Sequence, residues 1–130
     1  MPDRCTYDYA IVRVVPRVER GELINAGVIV SCPTQGYLAA RNALDAGRLH
    51  ALSPATDVAE VEAALALIPL IAAGDLRGGP MAALPRGERF HWLVAPRSAI
   101  IQTSPIHTGL CDDPSRALEQ LLDRLVRPPR

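Results

Sequence analysis

Tyr7-Asp8-Tyr9-Ala10-Ile11-Val12-Arg13-Val14-Val15-Pro16 and, a short way on, Ile24-Asn25-Ala26-Gly27-Val28-Ile29-Val30-Ser31-Cys32 decide the fold. The first stretch is rich in β-branched and aromatic residues and stops at a proline, which predicts a strand over residues 7–15 rather than a helix. The second is apolar at nearly every position after Asn25, the pattern of a central strand buried on both faces. The charged segment between them, residues 17–23, carries Gly21 and has the length of a hairpin connection, so the two strands pair antiparallel. Pro33-Thr34-Gln35-Gly36 reads as the next turn, and residues 37–41 as a third strand of the same meander.

Outward from this meander the period changes. Residues 45–52 read as a short helical turn ended by Ser53-Pro54. From Asp57 onward, Val58, Val61, Leu65, Ile68 and Ala72 share one helical face, with Asp57 and Glu60 placed as a capping box and Gly74 as the stop. Pro69 is expected to kink that helix or end it early. Residues 76–87, crowded with glycine and proline, read as a long loop. Residues 90–94 and 99–103 read as two short strands around a Pro96-Arg97 turn. Asp113-Pro114 then opens a last helix with the apolar stripe Leu118, Leu121, Leu122, Leu125 and Val126. The expectation is α+β: one domain over residues 1–130, with an antiparallel sheet made of the three-stranded meander plus one or two later strands, covered by helices including a C-terminal one.

Composition narrows the function classes. Of 130 residues, 48% are hydrophobic and 22% charged, as in globular chains. Positive and negative groups balance at 14 each, which leaves no net field to hold a nucleic-acid backbone or an anionic membrane, so nucleic acid is not indicated. All the cationic residues are arginine, a bias that GC-rich codon usage explains better than selection for bidentate anion binding does. Cys5, Cys32 and Cys111 form an odd set without paired spacing, which argues against a disulfide scaffold and for a reducing compartment. The first residues lack the apolar stretch of a secretion signal, and the longest apolar run, residues 61–73, is broken by Glu62 and Pro69 and falls short of a bilayer. A soluble, cytoplasmic protein with no membrane partner is expected.

Two segments could carry chemistry. In the hairpin, Arg17, Glu19, Arg20 and Glu22 surround Gly21, while Arg13 and Asn25 lie inside otherwise apolar strands. A solvated turn explains the former. A buried Arg13, in contrast, needs a partner, with Glu19 or Glu22 as candidates. The second segment runs from Arg89 through Phe90, His91, Trp92 and Arg97 to Gln102, Ser104 and His107. Phe90 and Trp92 read as core anchors, whereas Arg97, Gln102, Ser104 and His107 sit at strand ends, where binding sites gather. Ser104 and His107 lack a nucleophile elbow and a third triad member, His107 and Cys111 lack a second metal-ligand pair, and no phosphate-binding glycine loop is present.

Taken as a set, Tyr7 through Arg13, Arg17 through Gly27, and Arg89-Phe90 with Trp92, Ala95 through Gln102, Ser104-Pro105 and His107 resemble an uncharacterised bacterial family catalogued as domain of unknown function 3037. The resemblance covers nearly the whole chain. It implies a small single protein without an assigned reaction, with a HipA-like kinase as a partner.

The leading expectation is therefore an accessory or binding module. Its candidate ligand-binding residues are Arg13, Arg17, Glu19, Glu22, Asn25, Arg41, Arg89, Arg97, Gln102, Ser104 and His107. The arginine forks suit a phosphate- or carboxylate-bearing ligand or a protein partner. One alternative is an enzyme of phosphoryl or nucleotide chemistry, with Glu19 or Glu22 holding a divalent metal or acting as base and His107 as acid. The other is a structural subunit whose arginines pair only within the fold. No cofactor is assigned.

Overall fold

The computed structural model describes residues 4–97 and 99–128. The N-terminal residues 1–3 and Ser98, part of the family-like motif, lie outside them. The chain runs β1 (Cys5–Val14), β2 (Ile24–Cys32), β3 (Tyr37–Asn42), α1 (Ala46–Leu52), α2 (Val58–Ala73), α3 (Arg86–Val94), β4 (Ile101–Thr103), β5 (His107–Cys111) and α4 (Pro114–Leu125). All strand pairings are antiparallel, in the order β3-β2-β1-β4, with β5 also on β1. The three-stranded meander, the α+β class and the C-terminal helix stand as the sequence pattern predicts.

Helices cover both faces of the sheet. On one face Val12, Val14, Ile24 and Ile29 pack with Leu65 and Ile71 of α2 and with Phe90 and Leu93 of α3. On the other, Val28 and Val30 meet Leu118, Leu121, Leu122 and Val126, with Tyr7, Tyr9 and Tyr37 at the margin. Strand β2 is thus buried on both sides, the physical reason for its unbroken apolar run. Pairing passes from Val12 opposite Gly27 to Arg13 opposite Asn25, so Ala26 is an extra residue, a β-bulge. Gly27 sits where a Cβ would lie 2.8 Å from the Arg41 carbonyl oxygen, so only glycine lets β3 approach.

The far edge of β1 is shared by two short strands. β4 pairs with Val12, Arg13 and Val14, and β5 with Cys5 through Tyr9. Ser104 spans the break: its backbone N–H donates to the Ile11 carbonyl at 2.8 Å, and its Oγ accepts the Ile11 N–H at 2.8 Å. A side chain thereby completes the ladder where the strand itself bends away.

Three readings of the sequence need correction. Residues 90–94 are helical, the last turns of α3, because Phe90 and Leu93 at i and i+3 both enter the core. Residues 76–87 are not a structureless loop but hold the 3₁₀ turns Leu76–Gly78 and Pro80–Ala83 and the first residues of α3. Pro69 does not end α2, which runs on to Ala73. The carbonyl it orphans, that of Leu65 four residues back, accepts from Asn42 Nδ2 at 2.8 Å. Strand β5 was not foreseen at all. Among the described residues no helix is long and apolar enough to cross a membrane.

Candidate functional site

The sheet places three of the candidate residues in one row. Arg13 on β1 is directly opposite Asn25 on β2 and Gln102 on β4, so their side chains share a face. That face is the one α4 covers, because Asn25 Nδ2 donates to the Leu125 carbonyl at 2.9 Å. Arg13 Nε and Asn25 Oδ1 are buried and have no hydrogen-bond partner among the described residues. His107 stands on the same side of the sheet, its ring 5.3 Å from that of Tyr9, its partner in register.

The carboxylates expected beside Arg13 are elsewhere. Glu19 pairs with Arg17 at 2.9 Å and Glu22 pairs with Arg20, all on the exposed turn. A hydrogen bond from its own backbone N–H, then one from Arg17, holds the Glu19 carboxyl below its ordinary range, and a hydrogen bond from Arg20 does the same for Glu22. Both are therefore weakened as bases. No group of three or more His, Cys, Asp or Glu among the described residues is arranged to hold a metal ion.

Other arginines cap the fold. Arg41 on β3 pairs with Glu119 of α4. Arg89 on α3 donates to the Leu84 carbonyl at 2.7 Å and to the Ala72 carbonyl at 3.4 Å, closing the end of α2. Arg97 donates to the carbonyls of Trp92 and Leu93 at the end of α3, with its guanidinium carbon 4.4 Å from the centre of the Trp92 ring. These contacts satisfy terminal helix carbonyls, which attract cations. Ser104, as described, serves the sheet.

The late segment walls a hollow of about 560 Å³ between α2, α3 and β4, lined by Leu67, Ile68 and Ile71 on one side and Trp92, Ile101 and Gln102 on the other, with Arg97 in its wall. Its surface is mostly apolar. Trp92, expected in the core, is instead 40% exposed on this wall, because the helical turn that buries Phe90 and Leu93 points it outward. A second hollow of about 410 Å³ shares Ala64, Ile100 and Ile101 with the first. At Thr56 it adjoins a third, of about 560 Å³, lined by Arg17, Arg20 and Glu22. The hairpin and the late segment therefore stand at opposite ends of one run of hollows, tied by the Val15 N–H donating to the Ile100 carbonyl at 2.6 Å. Arg41 and Arg89 border none of these three.

Sequence reasoning missed the apolar walls, Leu67, Ile71 and Ile100. Their only signal was the i, i+3 spacing of Phe90 and Leu93, which, read as a helix, would have turned Trp92 outward.

A five-stranded antiparallel sheet between helices, with a hollow beside an edge strand, defines a small α+β protein. The chain belongs to the family described as Protein of unknown function (DUF3037), whose family model matches residues 9–126. Comparison with curated proteins and with solved structures found no match.

Proposed function

We propose that the protein is a small binding module for an amphipathic anion, its apolar body seated in the hollow beneath Trp92 and its carboxylate or phosphate turned to Arg97. The supporting observation is the stacked Trp92–Arg97 pair on the wall of an otherwise apolar cavity of about 560 Å³. A guanidinium has five N–H donors. Two of Arg97's are engaged by the Trp92 and Leu93 carbonyls, which hold the fork in place and leave the others for a ligand. Recognition of this kind, a large apolar contact with few oriented polar groups, is how small-molecule sites work. A cytoplasmic setting belongs to the same proposal, since three thiols suit a reducing compartment.

The test uses Trp92, the single tryptophan of the chain, as reporter. Octanoate or octyl phosphate should change its fluorescence saturably, with octanol and octylammonium about tenfold weaker, the worth of one charge-assisted contact. Arg97→Gln should remove that preference. Equal binding of the anion and the ammonium, or no saturable change, would sink the reading.

A second reading, a protein partner such as a HipA-like kinase, is favoured by the exposed rim: Leu67, Trp92 and Ile100 are 40–45% exposed around the hollow. It is tested by co-purification, with Trp92→Ala expected to release the kinase.

A further inference from the structure

All three cysteines are thiols, and the topology gives two of them a relation that their spacing in the chain conceals. Cys5 begins β1 and Cys111 ends β5, and the two are direct partners in the antiparallel register. Residues so opposed have Cα atoms about 4.5–5.5 Å apart. A disulfide spans Cα separations of about 4.4–6.8 Å. The register therefore brings the two within the Cα range of a disulfide, although Cys5 Sγ now accepts from Gln35 Nε2 at 3.1 Å and must leave that contact to form one. Cys32 is differently placed: it is buried at the end of β2, its Sγ 3.6 Å from the Thr6 carbonyl oxygen.

Cys111 is also reachable. A polar cavity of about 230 Å³ opens between the end of β5 and α4, with Tyr7, Cys111, Asp112 and Arg116 in its wall. A hydroperoxide, two oxygen atoms and a small substituent, fits in that space.

We propose that Cys5 and Cys111 are an oxidation site, a dithiol that a small hydroperoxide converts to a disulfide joining β5 to β1. In the first step the Cys111 thiolate attacks a peroxide oxygen. An S–O bond forms, the O–O bond breaks, and the departing oxygen leaves as water or alcohol after taking a proton. Sulfur is oxidised by two electrons and the peroxide is reduced. In the second step Cys5 Sγ attacks the Cys111 sulfenic sulfur. The S–S bond forms, the S–O bond breaks, and the hydroxyl leaves as water with the Cys5 proton.

Burial first, then Cys32, Cys5, Asp112 and Asp113, push the Cys111 thiol up; Tyr7 and Arg116 complete its surroundings. The thiolate is thus a minor form at neutral pH, and the bridge forms faster as pH rises.

The experiment treats the full chain with hydrogen peroxide and maps its peptides by mass under non-reducing conditions. The expected product is an intramolecular Cys5–Cys111 link, lighter by two hydrogens, reversed by dithiothreitol and formed equally in Cys32→Ser. Its thermal unfolding midpoint should exceed that of the reduced protein, because the bridge closes nearly the whole chain into a loop. A bridge that includes Cys32, disulfides only between chains, or sulfinic and sulfonic acids without a bridge would each overturn the proposal.

Discussion

The arginines show how little a residue type says before its surroundings are known. Arg89 and Arg97 close helix ends, Arg41 pins β3 to α4, and Arg17 and Arg20 neutralise neighbouring glutamates on a turn. Among the described residues only Arg13 combines a strand position with a buried Nε that lacks a partner, and the acceptor across from it, Asn25 Oδ1, is equally unsatisfied. Unpaired groups of this kind carry a desolvation penalty of about 1–3 kcal/mol each. A bidentate surface pair lies elsewhere. Arg77 Nε donates to Asp75 Oδ1 and its Nη2 to Oδ2, and these hydrogen bonds lower that carboxyl from 3.8 to about 2. Because the folded value is depressed, the interaction stabilises the fold above the ordinary carboxylate range and is lost as pH falls from 3.8 to about 2. Solvent exposure of the pair keeps the effect small and salt-sensitive. A carboxyl-carbon NMR titration should find Asp75 at the low value and Arg77→Ala should return it to the ordinary range; an ordinary value in the intact protein would contradict the pairing.

Among the elements, α2 and α3 show where local pattern and packing part company. A proline inside α2 predicts a break, yet the helix persists because β3 supplies a donor, Asn42, to the carbonyl that Pro69 leaves open. This account is testable as a cycle. Asn42→Ala should cost about 1–3 kcal/mol in urea unfolding, and distinctly less in a Pro69→Ala background, where the helix has its own donor back. Equal costs in the two backgrounds would show that Asn42 acts through something other than Leu65. In α3 the aromatic run Phe90-His91-Trp92-Leu93-Val94 has strand-like composition, and five residues are too few for period to outweigh it. Contact with α2 decides the matter, burying Phe90 and Leu93 and leaving His91 and Trp92 outside. The same rotation creates the Trp92 wall of the proposed binding hollow.

At the scale of the molecule, the sheet separates two hydrophobic layers, and this partition predicts independence. Ile71→Val thins the α2 side at a cost of about 0.5–1.5 kcal/mol, and Leu122→Ala empties the α4 side at about 2–5 kcal/mol. Their combination should equal the sum within about 0.5 kcal/mol, since no side chain bridges a sheet. A larger coupling in denaturant unfolding would mean that the strands transmit strain between layers. The partition also explains what was readable in advance. The meander, the helix beginning at Asp57 and the C-terminal helix were legible because each repeats its apolar spacing over enough residues and is bounded by proline, glycine or a capping aspartate. Ser104, His107 and Gln102 were legible only as polar residues near turns, their separate tasks hidden. Sequence by itself determined the α+β class, the order of the meander and the final helix, because these rest on local periodicity. Only the tertiary structure decided that Trp92 faces outward, that Arg13 stands opposite Asn25 and Gln102, and that Cys5 meets Cys111, because each depends on register between segments far apart in the chain.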